Sequence, residues 1–447
     1  MAQHLNIIGA GLTGSLLSIY LAKRGYSIDI YEKRSDMRLT KVEAGRSINL
    51  ALSSRGLCAL QEVGIAESVL EYAVKMPGRM LHAQDESLRY VPYGKNENEY
   101  INSISRSGLN IALLNLAEAF PNIRIHFNHT LEKVSLQTGQ SWLRNRLNNE
   151  MVAIEAAATF GTDGAGSVIR NAMQAEMKDF SENSQLIAHG YKELNIPPNA
   201  QGEFQIAQNA LHIWPRGEYM LIALPNLDAS FTCTLFLPNE GSLSFESLKN
   251  EQIVRDFFQT QFPDTLKLIP TLVEDFLQNP LGTLGTIRCS PWNYQGKFVL
   301  LGDAAHAILP FYGQGMNASF EDCILLNNLI DTHEGEWEAI FSAFSTLRKP
   351  NADAIAKLAE ENFYEMRDGT AKPEFLLARQ LEGILENTYP DYHSKYSMVT
   401  FHPEIPYSEA HRLGNKQNNY LLSMCENREN IDHLVIEDVY TALRLLR

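Results

Sequence analysis

Five cysteines in 447 residues (Cys58, Cys233, Cys289, Cys323 and Cys425) are too few and too scattered for a disulfide framework, and no CxxC pair offers zinc a site. A reducing, cytoplasmic setting and no metal are the expectations. No window approaches the ~20 apolar residues of a membrane helix. Residues 1–6 do not read as a signal peptide, because residues 5–8 run at once into a glycine turn. Positive charge is scarce: 38 Lys and Arg face 53 Asp and Glu, for a net charge of -15. An acidic surface repels phosphate backbones and anionic lipid heads, so neither nucleic acid nor a membrane surface is an expected partner. Repeats, low-complexity tracts and obvious linkers are also missing, which points to interwoven lobes rather than domains in series.

What remains is an ordinary globular composition, 45% hydrophobic, with enough length for one large domain or two to three fused lobes. The opening reads as strand, tight turn, helix, strand. An apolar run at residues 5–8 stops at Gly9, and Leu12, Leu16, Leu17, Tyr20 and Leu21 recur at helical spacing up to Arg24-Gly25. Residues 27–31 form a second strand ending at Glu32. Residues 33–110 read as loops plus helices around 55–63 and 108–119. Residues 123–160 alternate in places and read as antiparallel strands. Residues 186–238 are rich in β-branched and aromatic side chains and read as a sheet. Residues 298–303 are an apolar strand ending at an acidic turn, and helices dominate from Met316 onward.

Three motifs carry chemistry. Gly9-Ala10-Gly11-Leu12-Thr13-Gly14 is a GxGxxG between strand and helix. Gly9 permits the turn, Gly11 lets backbone approach a pyrophosphate, and Gly14 lets helix and strand pack closely, with the helix N-terminus facing the anion. Glu32, at the end of the second strand, is placed to accept hydrogen bonds from ribose hydroxyls and to repel a 2′-phosphate, which favours FAD or NAD over NADP in this fold. The second motif, Asp163-Gly164-Ala165-Gly166-Ser167-Val168-Ile169-Arg170, reads as a capped turn tied back by Arg170. Its run-up, residues 158–162, is less hydrophobic than expected of a buried strand. The third is Gly302-Asp303-Ala304-Ala305-His306, followed by Pro310-Phe311-Tyr312-Gly313-Gln314-Gly315-Met316-Asn317 and a helix from Asn317. His306 reads as a structural turn histidine in preference to a catalytic base.

Together the three motifs resemble the para-hydroxybenzoate-hydroxylase-like flavin monooxygenases over nearly the whole chain. That resemblance implies an α/β fold: a Rossmann-like FAD-binding lobe interwoven with a β-sheet substrate lobe, plus a C-terminal helical region. The expected bounds are 1–180 and 285–365 for the FAD lobe, with substrate-lobe segments inserted near 75–105. Residues 181–284 would form the substrate sheet and 366–447 the helical region. Such enzymes have one Rossmann lobe and no second one for the nicotinamide donor, in keeping with the single GxGxxG. In the family Gly9, Gly11, Thr13, Gly14, Glu32, Arg34, Ala51, Arg106, Leu131, Asp163, Asp303, Gly315, Met316 and Asn317 would line FAD, with NADPH a transient reductant.

The likeness narrows to the kynurenine-hydroxylating members on residues 45–53, 92–94, 127–129, 189–191, 211–216, 231–236 and 364–367, and it extends from residue 5 to about 402. It implies NADPH- and O2-consuming hydroxylation of L-kynurenine to 3-hydroxykynurenine by way of a flavin C4a-hydroperoxide. No side chain would act as catalyst, since an aniline ring needs no deprotonation. Arg79 is a candidate fork for the substrate carboxylate. By family position Tyr93, Asn362 and Tyr396 complete the clamp, Phe311 and Tyr312 lie along the ring, and Glu365 and Met366 line the same pocket. The bland alternatives are a surface salt bridge for Arg79, a loop staple for Tyr93, and backbone-bonded helix-face roles for Asn362 and Tyr396. The nearest rival function is a related flavin hydroxylase acting on another aniline or a phenolic acid. More distant rivals are a flavin reductase or halogenase and a non-catalytic FAD sensor. Eukaryotic members carry a membrane anchor near the C-terminus; the polar end of this chain does not read as one.

Overall fold

The strand His4–Ile8 is apolar and buried on both faces because it sits inside a parallel sheet covered on each side. The computed structural model describes residues 3–39, 48–365 and 373–446. The six-stranded sheet runs in the order Asn293–Tyr294, Phe298–Leu300, Ala158–Gly161, His4–Ile8, Ser27–Tyr31, Ile123–His126, parallel except at its first pair. The helix Leu12–Lys23 is buried along most of its length, packed against the helices Arg106–Glu118 and Gly315–Thr332. The run Ala158–Gly161, unpromising by hydropathy, is fully buried at the sheet centre. Its small residues suit a strand approached closely by both neighbours.

A second sheet of seven strands carries the other lobe. Its order is Gly282–Ser290, Ser181–Ile196, Phe231–Pro238, Tyr219–Pro225, Leu211–Arg216, Gly78–His82, Leu88–Pro92. Every neighbour is antiparallel except Leu211–Arg216 with Gly78–His82, which are parallel. One face packs on the helices Glu251–Gln261 and Leu272–Gln278 through Trp214, Phe231, Phe258 and Phe276. The other face meets the long helix Trp337–Tyr364 and the C-terminal helices Lys395–Thr400 and Tyr407–Cys425. The expected border at 284/285 falls within the strand Gly282–Ser290, which pairs with Ser181–Ile196 through Ser290.

Two expectations need correction. Residues 49–105 hold five strands, Asn49–Leu52, Ala73–Met76, Gly78–His82, Leu88–Pro92 and Ile101–Ser105, where loops and helices were expected. Each has only four or five residues, so none shows a long period-2 signal. The run Ile123–His126 is a parallel strand, not an antiparallel one. It lies at the sheet edge, where one exposed face produces the same alternation. Among the described residues no helix is long and apolar enough to cross a membrane, and no group of histidine, cysteine or carboxylate side chains is arranged to hold a metal ion. The five cysteines are free, four of them buried.

Candidate functional site

The glycine turn is built from close backbone approaches. Gly9 has φ +106° and donates its N–H to Tyr31 O at 2.8 Å. A Cβ on Gly9 would stand 2.5 Å from Thr162 O, and one on Gly14 would stand 2.0 Å from Gly9 O. A Cβ on Gly11 would meet nothing within 4 Å. Gly11 therefore keeps open a space over the start of Leu12–Lys23, whose first N–H groups have no side-chain cap. Thr162 Oγ1 donates to Ile8 O and Gly9 O at 2.9 Å each, fastening the second motif to the first. Asp163 Oδ2 accepts the Val168 N–H at 2.8 Å, while the buried Oδ1 has no partner among the described residues. Burial raises this carboxyl above its usual range, against the pull of the Ser167 hydroxyl and the Val168 N–H. Arg170 ties the turn back as expected, donating to Ala165 O at 2.6 Å and Ala304 O at 2.9 Å. An open anion seat and an orphaned buried oxygen beside it are what a bound dinucleotide would complete, so these residues fit FAD.

Glu32 joins the glycine turn to the segment at Arg34. Its carboxylate accepts from Ala10 N at 2.9 Å and from Arg34 N and Nε at 3.0 and 2.8 Å. Burial would raise this carboxyl, but the Arg34 guanidinium and the two backbone N–H groups hold it below the usual range. Leu131 is buried in His129–Val134, the strand that receives Glu32 O through the His129 N–H at 2.8 Å. Arg106 is exposed at the start of Arg106–Glu118, one helical turn before Asn110, whose amide donates to Ala10 O at 3.2 Å.

The third motif lies against the first. A Cβ on Gly302, at φ +58°, would be 2.7 Å from Thr13 Oγ1 and 3.1 Å from Ser319 Oγ. Asp303 opens the short helix Asp303–His306. His306 is buried and bonds Asp322 Oδ2 at 2.7 Å, and Asp322 also accepts the Gly302 N–H at 2.8 Å. Arg348 closes this network, bonding Asp322 Oδ1 at 2.7 Å, Glu321 at 3.0 Å and Ala318 O at 2.7 Å. Burial would raise the Asp322 carboxyl, but His306 and Arg348 hold it below the usual range. His306 is thus a structural partner of a buried carboxylate.

The N-terminus of the 18-residue helix Gly315–Thr332 lacks a side-chain cap. Beside it, the Asn317 amide donates to Ala51 O at 2.9 Å and Gly313 O at 3.0 Å and accepts from Ser53 N at 3.0 Å. Ala51 and the turn at Gly313, φ +67°, are thereby held together, with Met316 buried behind them. The amide of Asn317 is fully engaged within the protein, which leaves its backbone N–H as the group that can face a ligand.

The substrate-side candidates converge from distant segments. Arg79, on Gly78–His82, lies 5.1 Å from the Tyr93 ring centre and 5.2 Å from that of Tyr396. Its Nε is buried with no hydrogen-bond partner among the described residues. Tyr93 and Tyr396 stack at 5.6 Å and 11°, and Tyr312 stacks on the far side of Tyr396 at 5.9 Å and 20°. Burial pushes all three phenols above their usual range, so each keeps its O–H at neutral pH. Phe311 packs between Phe363 at 4.6 Å and Phe236 at 5.1 Å. The amide of Asn362 donates to Phe311 O at 2.8 Å. Glu365 pairs with the buried Lys395 at 2.8 Å. Met366 lies outside the described residues, as do Gly45, Arg46, Ser47 and Arg367.

Sequence reasoning missed Arg55, which joins the two halves. It is buried, bonds Glu321 at 2.6 Å and the carbonyls of Met398, Val399, His402 and Ile405, and lies 4.0 Å from the Tyr407 ring centre. Tyr407 in turn donates to Gln314 at 2.9 Å. The available signal was Glu321-Asp322 between the apolar residues Phe320 and Cys323 of this helix, a buried charge that required partners.

Residues 2–359 match the profile of a family described as FAD binding domain. The chain is 47% identical over 411 residues to the kynurenine 3-monooxygenase of Myxococcus xanthus, covering 92% of this chain and 88% of that one. It is 45% identical to the Flavobacterium johnsoniae kynurenine 3-monooxygenase, covering 95% of each. The Legionella pneumophila kynurenine 3-monooxygenase aligns over 444 residues at 40% identity, 99% of this chain and 98% of that one. The likeness therefore runs well beyond residue 402, where the local motifs fade. Among solved structures, 2-methyl-3-hydroxypyridine-5-carboxylic acid oxygenase superposes with TM-score 0.66 at 20% identity, covering 84% of this chain and 95% of that one. PqsL of P. aeruginosa, solved with 2-aminobenzoylacetate, gives 0.66 at 15% identity, covering 82% and 97%. At such identities the superpositions speak for the fold.

Proposed function

The chain belongs to the kynurenine 3-monooxygenase family of FAD-binding proteins, and from that membership we propose that it hydroxylates L-kynurenine. One oxygen atom of O2 enters the ring beside the amine to give 3-hydroxykynurenine. The other leaves as water, with NADPH and a proton consumed. When bound, FAD supplies the electron transfer and oxygen activation. The Gly9–Gly14 backbone and the start of Leu12–Lys23 would hold its pyrophosphate, with Glu32 at a ribose and Asp303 at the ribityl chain. The N-terminus of Gly315–Thr332 would face the isoalloxazine edge, where a positive helix end stabilises gathered negative charge.

The observation that carries the substrate side is Arg79: a guanidinium beside two phenols, with a buried Nε that no described residue satisfies. A cation left so is costly unless a ligand pairs with it, and a carboxylate matches its fork. In this reading the substrate's amino-acid end lies against Arg79, Tyr93 and Tyr396. The ring lies toward Phe311 and Tyr312, and Asn362 holds Phe311 in place through its carbonyl. Ring activation comes from the substrate's own amine, so the protein's work is to orient the ring and exclude water. His306, bound to Asp322, takes no proton from the substrate in this account.

The test is NADPH oxidation by the purified yellow protein with and without L-kynurenine, with the product mass recorded. The expected result is stimulation and a product heavier by one oxygen. Stimulation that yields only H2O2, or none with FAD bound, would overturn the reading.

A further inference from the structure

The sheet that presents Arg79 has a reverse face. Register pairs Arg79 with Leu211 and Met80 with His212, so His82, His212 and Trp214 lie on the side opposite Arg79, toward the helical layer. His82 and His212 are buried, at 3% and 1% exposure. His82 Nδ1 is 3.0 Å from Asp264 Oδ2, His82 Nε2 is 2.8 Å from His212 Nδ1, and His212 Nε2 is 2.8 Å from Ala207 O. Trp214 Nε1 donates to both Asp264 oxygens at 2.8 and 3.0 Å, and its ring stacks on His82 at 3.9 Å.

The hydrogens of this chain can be counted. Ala207 O only accepts, so His212 Nε2 carries a hydrogen. A carboxylate already bonded by Trp214 also only accepts, so His82 Nδ1 carries one. The 2.8 Å contact between the rings needs a third. Two neutral imidazoles supply two. If the two ring nitrogens met without a hydrogen, lone pair would face lone pair in a buried site. Moving the third hydrogen onto Asp264 leaves the total unchanged.

We propose that the chain Asp264–His82–His212 holds one proton beyond two neutral imidazoles and a carboxylate, and that this proton positions the strand carrying Arg79. His82 and Asp264 are thus positioning residues, and substrate affinity falls when the proton is lost. The effect on affinity rests on the reading of Arg79 as the carboxylate site. Burial pushes His212 down to about 4, which disfavours a charge on that ring. Hydrogen bonds from His82 and Trp214 hold the Asp264 carboxyl below its usual range although burial opposes them. The other charged or titratable groups around the cluster are Arg216, which donates to His82 O at 3.0 Å and Gln261 O at 2.5 Å, Tyr219, and the exposed pair Lys267–Glu86. Arg216 opposes a second cation here, and Asp264 offsets it.

Asp264→Asn tests this directly. An asparagine can donate to His82 Nδ1 through its amide while its oxygen accepts from Trp214, so the chain closes with two neutral imidazoles. In the wild-type holoenzyme, KM for L-kynurenine should rise on the order of fivefold or more from about pH 6 to about pH 9, a span that brackets imidazole titration, with kcat changing little by comparison. In D264N that rise should be absent. Ionisation of the substrate itself is common to both proteins and cancels in the ratio. Histidine-selective 15N NMR of the wild type, with His82→Gln for assignment, should count three protonated ring nitrogens at low pH and two at high pH. Two at low pH, with the Asp264 carboxyl 13C shift that of an ionised carboxylate, would overturn the stored proton, whatever the role of Arg79 and whether or not D264N folds. Three with the same KM rise in D264N would overturn the coupling. Arg79→Ala should keep the NMR count and lose the KM dependence, which separates failure of this proposal from failure of the carboxylate reading.

Discussion

The proposed cofactor cradle and the proposed substrate clamp treat buried polar groups differently. In the cradle most polar groups are bonded within the protein: Glu32 to Ala10 and Arg34, Asn317 to Ala51, Gly313 and Ser53, Asp322 to Gly302, His306 and Arg348. What it leaves open is backbone, at helix starts without side-chain caps, and one carboxylate oxygen, Asp163 Oδ1. The clamp leaves a charged side chain open, the Arg79 guanidinium with its unsatisfied Nε. A resident cofactor is served by a rigid frame that exists before it arrives. In the proposed reading, a substrate that must enter and leave is met by a charge whose pairing is completed only while it is bound.

The largest expected effect lies in the cradle. Gly14→Val puts side-chain carbon where Gly9 O stands 2.0 Å from even a Cβ, a backbone clash well beyond the ~1–3 kcal/mol of ordinary overpacking, read as loss of the folded, FAD-bound protein. Protein purified with ordinary flavin absorbance would contradict the tight-turn account. Asp322→Ala comes next, because Arg348 and His306 lose a buried partner. Breaking a buried pair costs about 3–5 kcal/mol, read as a large fall in Tm. Asp322 is held below the usual carboxylate range, so its stabilisation is full above the unfolded-state value and is lost as pH falls toward the folded-state one. The acid limb of the stability profile should therefore flatten in Asp322→Asn.

The clamp should respond in the opposite sense, in affinity with stability preserved. Arg79→Ala should raise KM for L-kynurenine on the order of 100-fold, ~3 kcal/mol, with FAD retained. Loss of FAD would erase the distinction between the two regions. Tyr396→Phe is the smallest change: the stack with Tyr93 and Tyr312 stays and one hydroxyl goes. About 1 kcal/mol, roughly fivefold in KM, is expected.

The same contrast explains what could be read from sequence. Gly9, Gly11, Gly14 and Glu32 lie within one strand–turn–strand unit, where local spacing states the geometry, and the strands and helix there fall within a residue or so of expectation. Arg79 and Tyr93 lie more than 200 residues before Tyr312 and Tyr396, and only family likeness brought the two pairs together. The short strands at 49–105 were missed because they are paired through long-range contacts with Leu211–Arg216 and with one another. Arg55 and the Asp264–His82–His212 chain have no local pattern: apart from Ala207 at His212, their hydrogen-bond partners lie from 50 to 350 residues away.

The proposed role of Arg79 in reading the substrate carboxylate is decided by comparing L-kynurenine with its decarboxylated amine on the wild type and on Arg79→Ala. The wild type should prefer kynurenine on the order of 100-fold in kcat/KM, and Arg79→Ala should treat the two alike. If the variant binds kynurenine poorly yet keeps the full preference for it, the carboxylate is read elsewhere and the account of the clamp is wrong.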